Sequence, residues 1–155
     1  MIVSFDLDDT LFINPEKCSA EKSLHFPLNL IFRDRLRAGT VKLISELKKK
    51  NIRVWIYTTS FRSEWYIKTL FRCYGINLDF IINGERHKKE VQGEKCEPMP
   101  SKYPSRYRID LHIDDDISVA ENGKTYGFKV YLISENNPQW ADEILNQVNK
   151  IKRAV

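Results

Sequence analysis

Apolar residues along the chain collect in five short runs, and the stretches between them carry hydrophobic positions at helical spacing. Ile2 to Phe5, Ile52 to Tyr57, Leu78 to Ile82, Ile109 to Ile113 and Phe128 to Ile133 are rich in β-branched and aromatic residues and end in polar turn formers. That pattern predicts buried strands. Between the first two, Thr40 is placed to cap a helix with Val41, Leu43, Ile44 and Leu47 on its apolar side, closing in Lys48-Lys49-Lys50, where the helix dipole favours cations. A second helix is expected from about Phe61 to Tyr74, with Trp65, Ile67, Leu70 and Phe71 spaced to pack and Gly75 as its terminal cap. Ile117 to Tyr126 reads as a third helix despite Asn122-Gly123. Asn137-Pro138 opens a last one striped by Trp140, Ile144, Leu145, Val148 and Ile151. Strands alternating with helices predict an α/β fold: a doubly wound three-layer sandwich around a mainly parallel five-stranded sheet, Rossmann-like in plan.

Two stretches resist that grammar. Phe12 to Arg37 contains Pro15 and Pro27, which break any helix through them, and only Leu28 to Leu36 suits a short helical or extended piece. From Asn83-Gly84 to Arg108 the chain reads as loop, with Gly93, Pro98, Pro100 and Pro104, and it is long for an ordinary connection. The organisation expected is one domain over residues 1–155, with small inserts at about 13–38 and 84–108, neither large enough for a separate cap domain.

Composition narrows the setting. The chain is 42% hydrophobic and 30% charged, with no apolar run approaching the ~20 residues that a membrane span requires. No basic segment and apolar core of a signal peptide precede the first strand, so a cytoplasmic location is expected and no membrane partner. Cys18, Cys73 and Cys96 are odd in number and widely spaced, suggesting neither disulfides nor a zinc site. Of the net charge of +4, most comes from the Glu85–Arg108 segment, a mixed-charge stretch read as a solvated loop compatible with an anionic substrate.

Chemistry collects where strands end. Asp6, Asp8 and Thr10 follow the first, Thr58, Thr59 and Ser60 the second, and Asp114, Asp115 and Asp116 the fourth. A parallel sheet brings these to one edge, where ligands of open α/β sheets bind. Closely spaced carboxylates repel unless a cation sits between them, and an oxygen-only cluster suits Mg²⁺.

Phe5-Asp6-Leu7-Asp8-Asp9-Thr10-Leu11, Val54-Trp55-Ile56-Tyr57-Thr58 and His112-Ile113-Asp114-Asp115 resemble, in order and position, the first, second and fourth motifs of the haloacid dehalogenase (HAD) superfamily. Arg35-Leu36-Arg37-Ala38-Gly39-Thr40 also resembles that family's approach to its second strand, and the likeness runs from Met1 to about Ile133. It implies a HAD core and a minimally capped, phosphatase-like member. Asp6 would form an aspartyl-phosphate, Asp8 would serve as acid and base, and Thr58 would bind a phosphoryl oxygen through its hydroxyl and N–H. Mg²⁺ would be held by Asp6, the Asp8 carbonyl and Asp114, with Asp115 holding a metal-bound water or orienting the lysine. Thr59 and Ser60 are assigned mainly to capping the next helix, Thr59 with a secondary phosphate-binding role, and Asp116 to capping the Ile117 helix.

The third motif is a lysine facing Asp6. Lys102 is favoured because its short connection to the fourth strand restricts it; Lys88, Lys89 and Lys95 are the alternatives. Dehalogenating members lack an acid at the position of Asp8, so the resemblance implies a Mg²⁺-dependent phosphomonoesterase. Its substrate would be a phosphorylated small molecule or a macromolecular phosphoester, and an open site is compatible with a homo-oligomer neighbour as lid. The alternative is a phosphate- or metal-binding regulatory module without turnover. His112 reads as a structural histidine, Arg62, placed where it could reach a second phosphate, as a solvated helix-start arginine, and Trp65 and Trp140 as core.

Overall fold

The computed structural model describes residues 1–153. Five strands, β1 (Ile2–Phe5), β2 (Arg53–Tyr57), β3 (Phe80–Ile82), β4 (Leu111–Asp114) and β5 (Val130–Leu132), form one sheet in the order β3-β2-β1-β4-β5. Every neighbouring pair is parallel. The central strand β1 is buried along its whole length, which is why it reads as a nearly continuous apolar run: both faces of a parallel sheet are covered. On one face Val3, Phe5, Val54, Ile56, Leu111 and Ile113 pack with the helices α2 (Thr40–Lys49), α3 (Glu64–Cys73) and α6 (Trp140–Arg153). On the other, Ile2, Tyr57, Ile82 and Ile109 cluster with Trp55, Phe80 and Tyr107.

The ladders are shorter than the apolar runs. Ile52, Ile109, Phe128 and Ile133 are buried but lie outside the strands, because burial, and not ladder pairing, sets their apolar character. At α2 the cap also differs from expectation. Gly39 takes the N-cap position at φ 91°, and the Thr40 hydroxyl donates to the Arg37 carbonyl. The free N–H groups of Gly39 and Val41 go instead to the Glu21 carboxylate, each at 3.1 Å.

α3 begins later than its periodicity suggests and is capped by Ser63, which accepts from the Tyr66 N–H at 3.1 Å, so neither Thr59 nor Ser60 is the cap. Ile67, Leu70 and Phe71 form its buried face; Trp65 lies off it and is 66% exposed, contrary to the core assignment, whereas Trp140 is buried as expected. The 84–108 segment is not one loop. Asn83 caps a short helix, α4 (Gly84–His87), that widens into a π-type turn over Lys88–Gln92, and a 3₁₀ turn covers Pro104–Tyr107. Gly84 is required here, since a Cβ would collide with the Thr59 carbonyl. Part of this segment's positive charge is internally paired, Arg86 binding Glu64 and Glu90.

Between β1 and α2 the only regular element is the four-residue α1 (Leu28–Ile31), and isolated bridges Phe12–Leu36 and Ala20–Arg37 lace the segment to itself. Arg37 anchors it. Its buried guanidinium donates from Nη2 to the carbonyls of Ser134, Glu135 and Asn137 and stacks over Trp140. The remaining helix, α5 (Ile117–Tyr126), is capped by Asp116, whose carboxylate accepts from the Ser118 N–H, as expected. Among the described residues no helix is long and apolar enough to cross a membrane.

Candidate active site

The register of the sheet fixes which side chains meet. Phe5 is level with Ile56 on β2 and Ile113 on β4, so the next residue of each chain segment, Asp6, Tyr57 and Asp114, emerges at the same edge. The Asp6 N–H still donates to the Ile113 carbonyl at 2.9 Å, holding Asp6 in line with the ladder as the chain turns away. Burial pushes the Asp6 carboxyl up to about 6, against the lowering pull of the Lys102 ammonium.

Lys102 is almost wholly buried between two carboxylates, its Nζ 2.8 Å from Asp6 Oδ1 and 2.6 Å from Asp114 Oδ2. Burial alone would lower its pKa, but the charges of Asp6 and Asp114 raise it, so it stays an ammonium. Tyr57 fixes the loop that carries it: the phenol at the end of β2 accepts from the Tyr103 N–H at 2.8 Å. Of the candidate lysines, only Lys102 contacts the acids among the described residues; Lys88, Lys89 and Lys95 do not.

Asp114 is the most constrained acid of the site. Burial would raise its pKa, but the His112 hydrogen bond and the Lys102 ammonium overcome that and hold it at about 2. His112 is itself wholly buried, which lowers its pKa and keeps it neutral. A single tautomer satisfies both its contacts: Nε2–H donates to Asp114 Oδ2 at 2.8 Å, while Nδ1 accepts from the Ser4 hydroxyl at 2.8 Å. The histidine is structural, but what it structures is the site. The signal in the sequence was the i, i+2 spacing of His112 and Asp114, which puts them on one face of β4.

Asp6, Asp114 and Asp115 each offer a carboxylate oxygen within 4.8 Å of the others. The donors are all hard oxygens, and Asp6 Oδ1, although buried and close to Lys102, accepts no well-aligned hydrogen bond. Three hard carboxylate oxygens this close together, with only the Lys102 ammonium between two of the acids, fit a small divalent cation such as Mg²⁺. Asp115 does not touch Lys102; it is oriented by Thr10, whose hydroxyl donates to Oδ1 at 2.9 Å. The Asp8 side chain stands outside this cluster, with both oxygens within 3.0 Å of Arg62 Nη1. Asp9, exposed, takes a positive φ of 58° in the turn.

Thr58 is buried beside the strand end, and its N–H is already spent on the Ile82 carbonyl at 2.9 Å. Only its hydroxyl, which accepts from the Ser60 N–H at 3.1 Å, has a proton left to offer a ligand. Thr59 is exposed, and with Phe61, His87, Lys88 and Ser101 it lines a shallow depression beside the turn. Sequence reasoning undervalued Arg62. It is only partly exposed and bridges Asp8 to Asp34, 28 residues upstream in the insert, and no local pattern announces so distant a partner.

The sequence matches no family model, and no curated protein matches it. Solved structures do match. A predicted HAD-like family hydrolase from Porphyromonas gingivalis superposes with a TM-score of 0.57 at 14% identity, over 95% of this chain and 97% of the other. An uncharacterised protein from Listeria monocytogenes serotype 4b gives 0.57 at 20% identity, covering 90% and 80%. A HAD family enzyme from Bacteroides thetaiotaomicron, solved in complex with magnesium and inorganic phosphate, gives 0.51 at 12% identity, covering 88% and 95%. At these identities the likeness is one of fold.

Proposed function

We propose that this chain, which has the fold shared by HAD-superfamily hydrolases, is a Mg²⁺-dependent phosphomonoesterase acting through an aspartyl-phosphate on Asp6. The observation that carries the reading is the buried lysine: Lys102 lies between Asp6 and Asp114, the proposed nucleophile and a proposed metal ligand. A lysine kept charged there holds Asp6 ionisable and in position, and its ammonium faces the oxygens of an incoming phosphoryl group.

In this reading Asp6 attacks phosphorus in line, and the ester oxygen leaves with a proton from Asp8. Asp8 then takes a proton from the water that attacks the acyl-phosphate, returning Asp6 to its free form. The Thr58 hydroxyl, with Thr59 at the rim, binds phosphoryl oxygens. Asp6, the Asp8 carbonyl, Asp114 and Asp115 would hold the cation, which when bound neutralises charge between the acids and the substrate. His112 and Thr10 keep Asp114 and Asp115 aimed. The depression lined by Thr59, Phe61, Lys88 and Ser101 gives the remainder of a phosphoester, small or macromolecular, a surface to rest on.

The test is release of phosphate from a panel of phosphomonoesters with and without Mg²⁺, for wild type, Asp6→Asn and Asp8→Asn. Hydrolysis that requires Mg²⁺ and disappears in Asp6→Asn is expected. A wild type inert across the panel, yet binding Mg²⁺ or phosphate, would replace the enzyme with a binding module.

A further inference from the structure

The carboxylate of Asp8 is 49% exposed, and among the described residues its only hydrogen-bond donor is Arg62. A half-exposed aspartate with one partner takes its orientation from that partner, since the rest of its surroundings is solvent. Arg62 has no such freedom. Its Nε and Nη2 donate to the two oxygens of Asp34, each at 3.1 Å, and its Nη1 donates to the Ser60 hydroxyl at 2.8 Å as well as to Asp8. Its carbonyl accepts from Asn83 Nδ2 at 3.0 Å, and its guanidinium lies 5.4 Å from the centre of the Phe12 ring. Asp34 is fixed in turn by the Tyr66 hydroxyl at 2.9 Å.

Resting on the phosphohydrolase reading, we infer that Arg62 is the positioning residue for the acid–base Asp8, and that the 13–38 insert acts on the chemistry through Asp34. The geometry is that of a lever clamped at one end. The planar fork is filled on its Nε/Nη2 side by Asp34 and presents Nη1 to Asp8, an arrangement that a lysine, with a single ammonium, cannot reproduce. The insert therefore reaches the chemistry through this contact. It supplies the carboxylate that locks the arginine, which locks the acid.

A residue that places a general acid leaves a signature that a merely structural residue does not. Proton donation matters most when the departing oxygen is a poor leaving group and little when it is a good one. The experiment compares kcat/KM, which reports phosphoryl transfer to Asp6, for phenyl phosphate and p-nitrophenyl phosphate in wild type, Arg62→Ala, Arg62→Lys and Asp34→Asn, with melting temperatures recorded in parallel. General acid–base catalysis contributes roughly 10²–10⁴-fold and small misplacements forfeit much of it. Arg62→Ala is expected to lose about 10- to 100-fold on phenyl phosphate and less than about 3-fold on p-nitrophenyl phosphate. Arg62→Lys should recover part of the loss, and Asp34→Asn, which keeps the arginine, should show a smaller loss with the same leaving-group bias. Equal losses on the two esters, or no loss, overturn the positioning role while leaving the phosphohydrolase reading intact. A wild type inactive on both overturns that reading and the inference with it.

Discussion

Replacing Asp6 with asparagine should abolish turnover and stabilise the metal-free protein. Burial holds the Asp6 carboxyl near 6, against an ordinary 3.8, so between those values the folded chain keeps a proton that the unfolded chain releases. Folding stability therefore falls as pH rises through that window, and the loss is complete above pH 6. At 1.36 kcal/mol per pKa unit, the ionised carboxylate costs the metal-free fold about 3 kcal/mol at pH 7.5, and about 1 kcal/mol at pH 4.5. Asparagine is close in size, and Lys102 retains Asp114 as a partner, so most of that cost is recovered in the variant. For a chain of this length about 2–4 °C accompanies each kcal/mol, which gives a rise of roughly 3–9 °C at pH 7.5. The assay is thermal unfolding followed by circular dichroism in EDTA at the two pH values. Asp114 has the opposite sign: its carboxyl is lowered to about 2, so its stabilisation is present above pH 4 and lost only on further acidification, below both measurements. An Asp6→Asn variant no more stable than wild type at pH 7.5, or stabilised equally at pH 4.5, would refute the premise that burial of Asp6 is unfavourable without a cation.

Three further outcomes follow from the same geometry. Lys102→Ala leaves two buried carboxylates facing each other and should lose about 3–5 kcal/mol in urea unfolding at pH 7 without metal. His112→Ala removes the donor that aims Asp114, and titration calorimetry should show Mg²⁺ affinity weakened about 10- to 100-fold. Arg37→Met deletes three bonds to the carbonyls of the loop after β5; it should lower stability by about 2–4 kcal/mol in urea unfolding while leaving Mg²⁺ affinity within twofold.

The parallel sheet is legible in the sequence because its central strands β1 and β4 are buried on both faces and stand out as apolar runs closed by acids, while the partly exposed edge strand β5 is read from its β-branched and aromatic residues. The same logic brings Asp6, Thr58 and Asp114 to one edge. What the chain conceals are features decided by distant partners. Its place among the apolar residues of the predicted helix assigns Trp65 to the core. In the fold it stands at the open start of α3, with its ring centre 6.3 Å from that of Phe32. Asn83-Gly84 reads as a turn, and the charged residues after it carry no apolar stripe. Yet Asn83 caps a helix, held by Arg86 between Glu64 and Glu90. The Thr58 N–H is expected to face a phosphate, but the pairing of β2 with β3 runs on to the Ile82 carbonyl and takes that donor. Arg62 meets its partners Asp8 and Asp34 only after the insert folds back across the strand ends.

The central claim, that Asp6 accepts the phosphoryl group, is tested most directly by acid quench during turnover of a phosphomonoester with Mg²⁺, followed by mass spectrometry of the peptide that contains Asp6. A phosphoryl adduct on Asp6, dependent on Mg²⁺ and labile to hydroxylamine, is the result predicted. Phosphate release with the adduct on another residue, or with no adduct at any point of the progress curve and turnover preserved in Asp6→Asn, would contradict it.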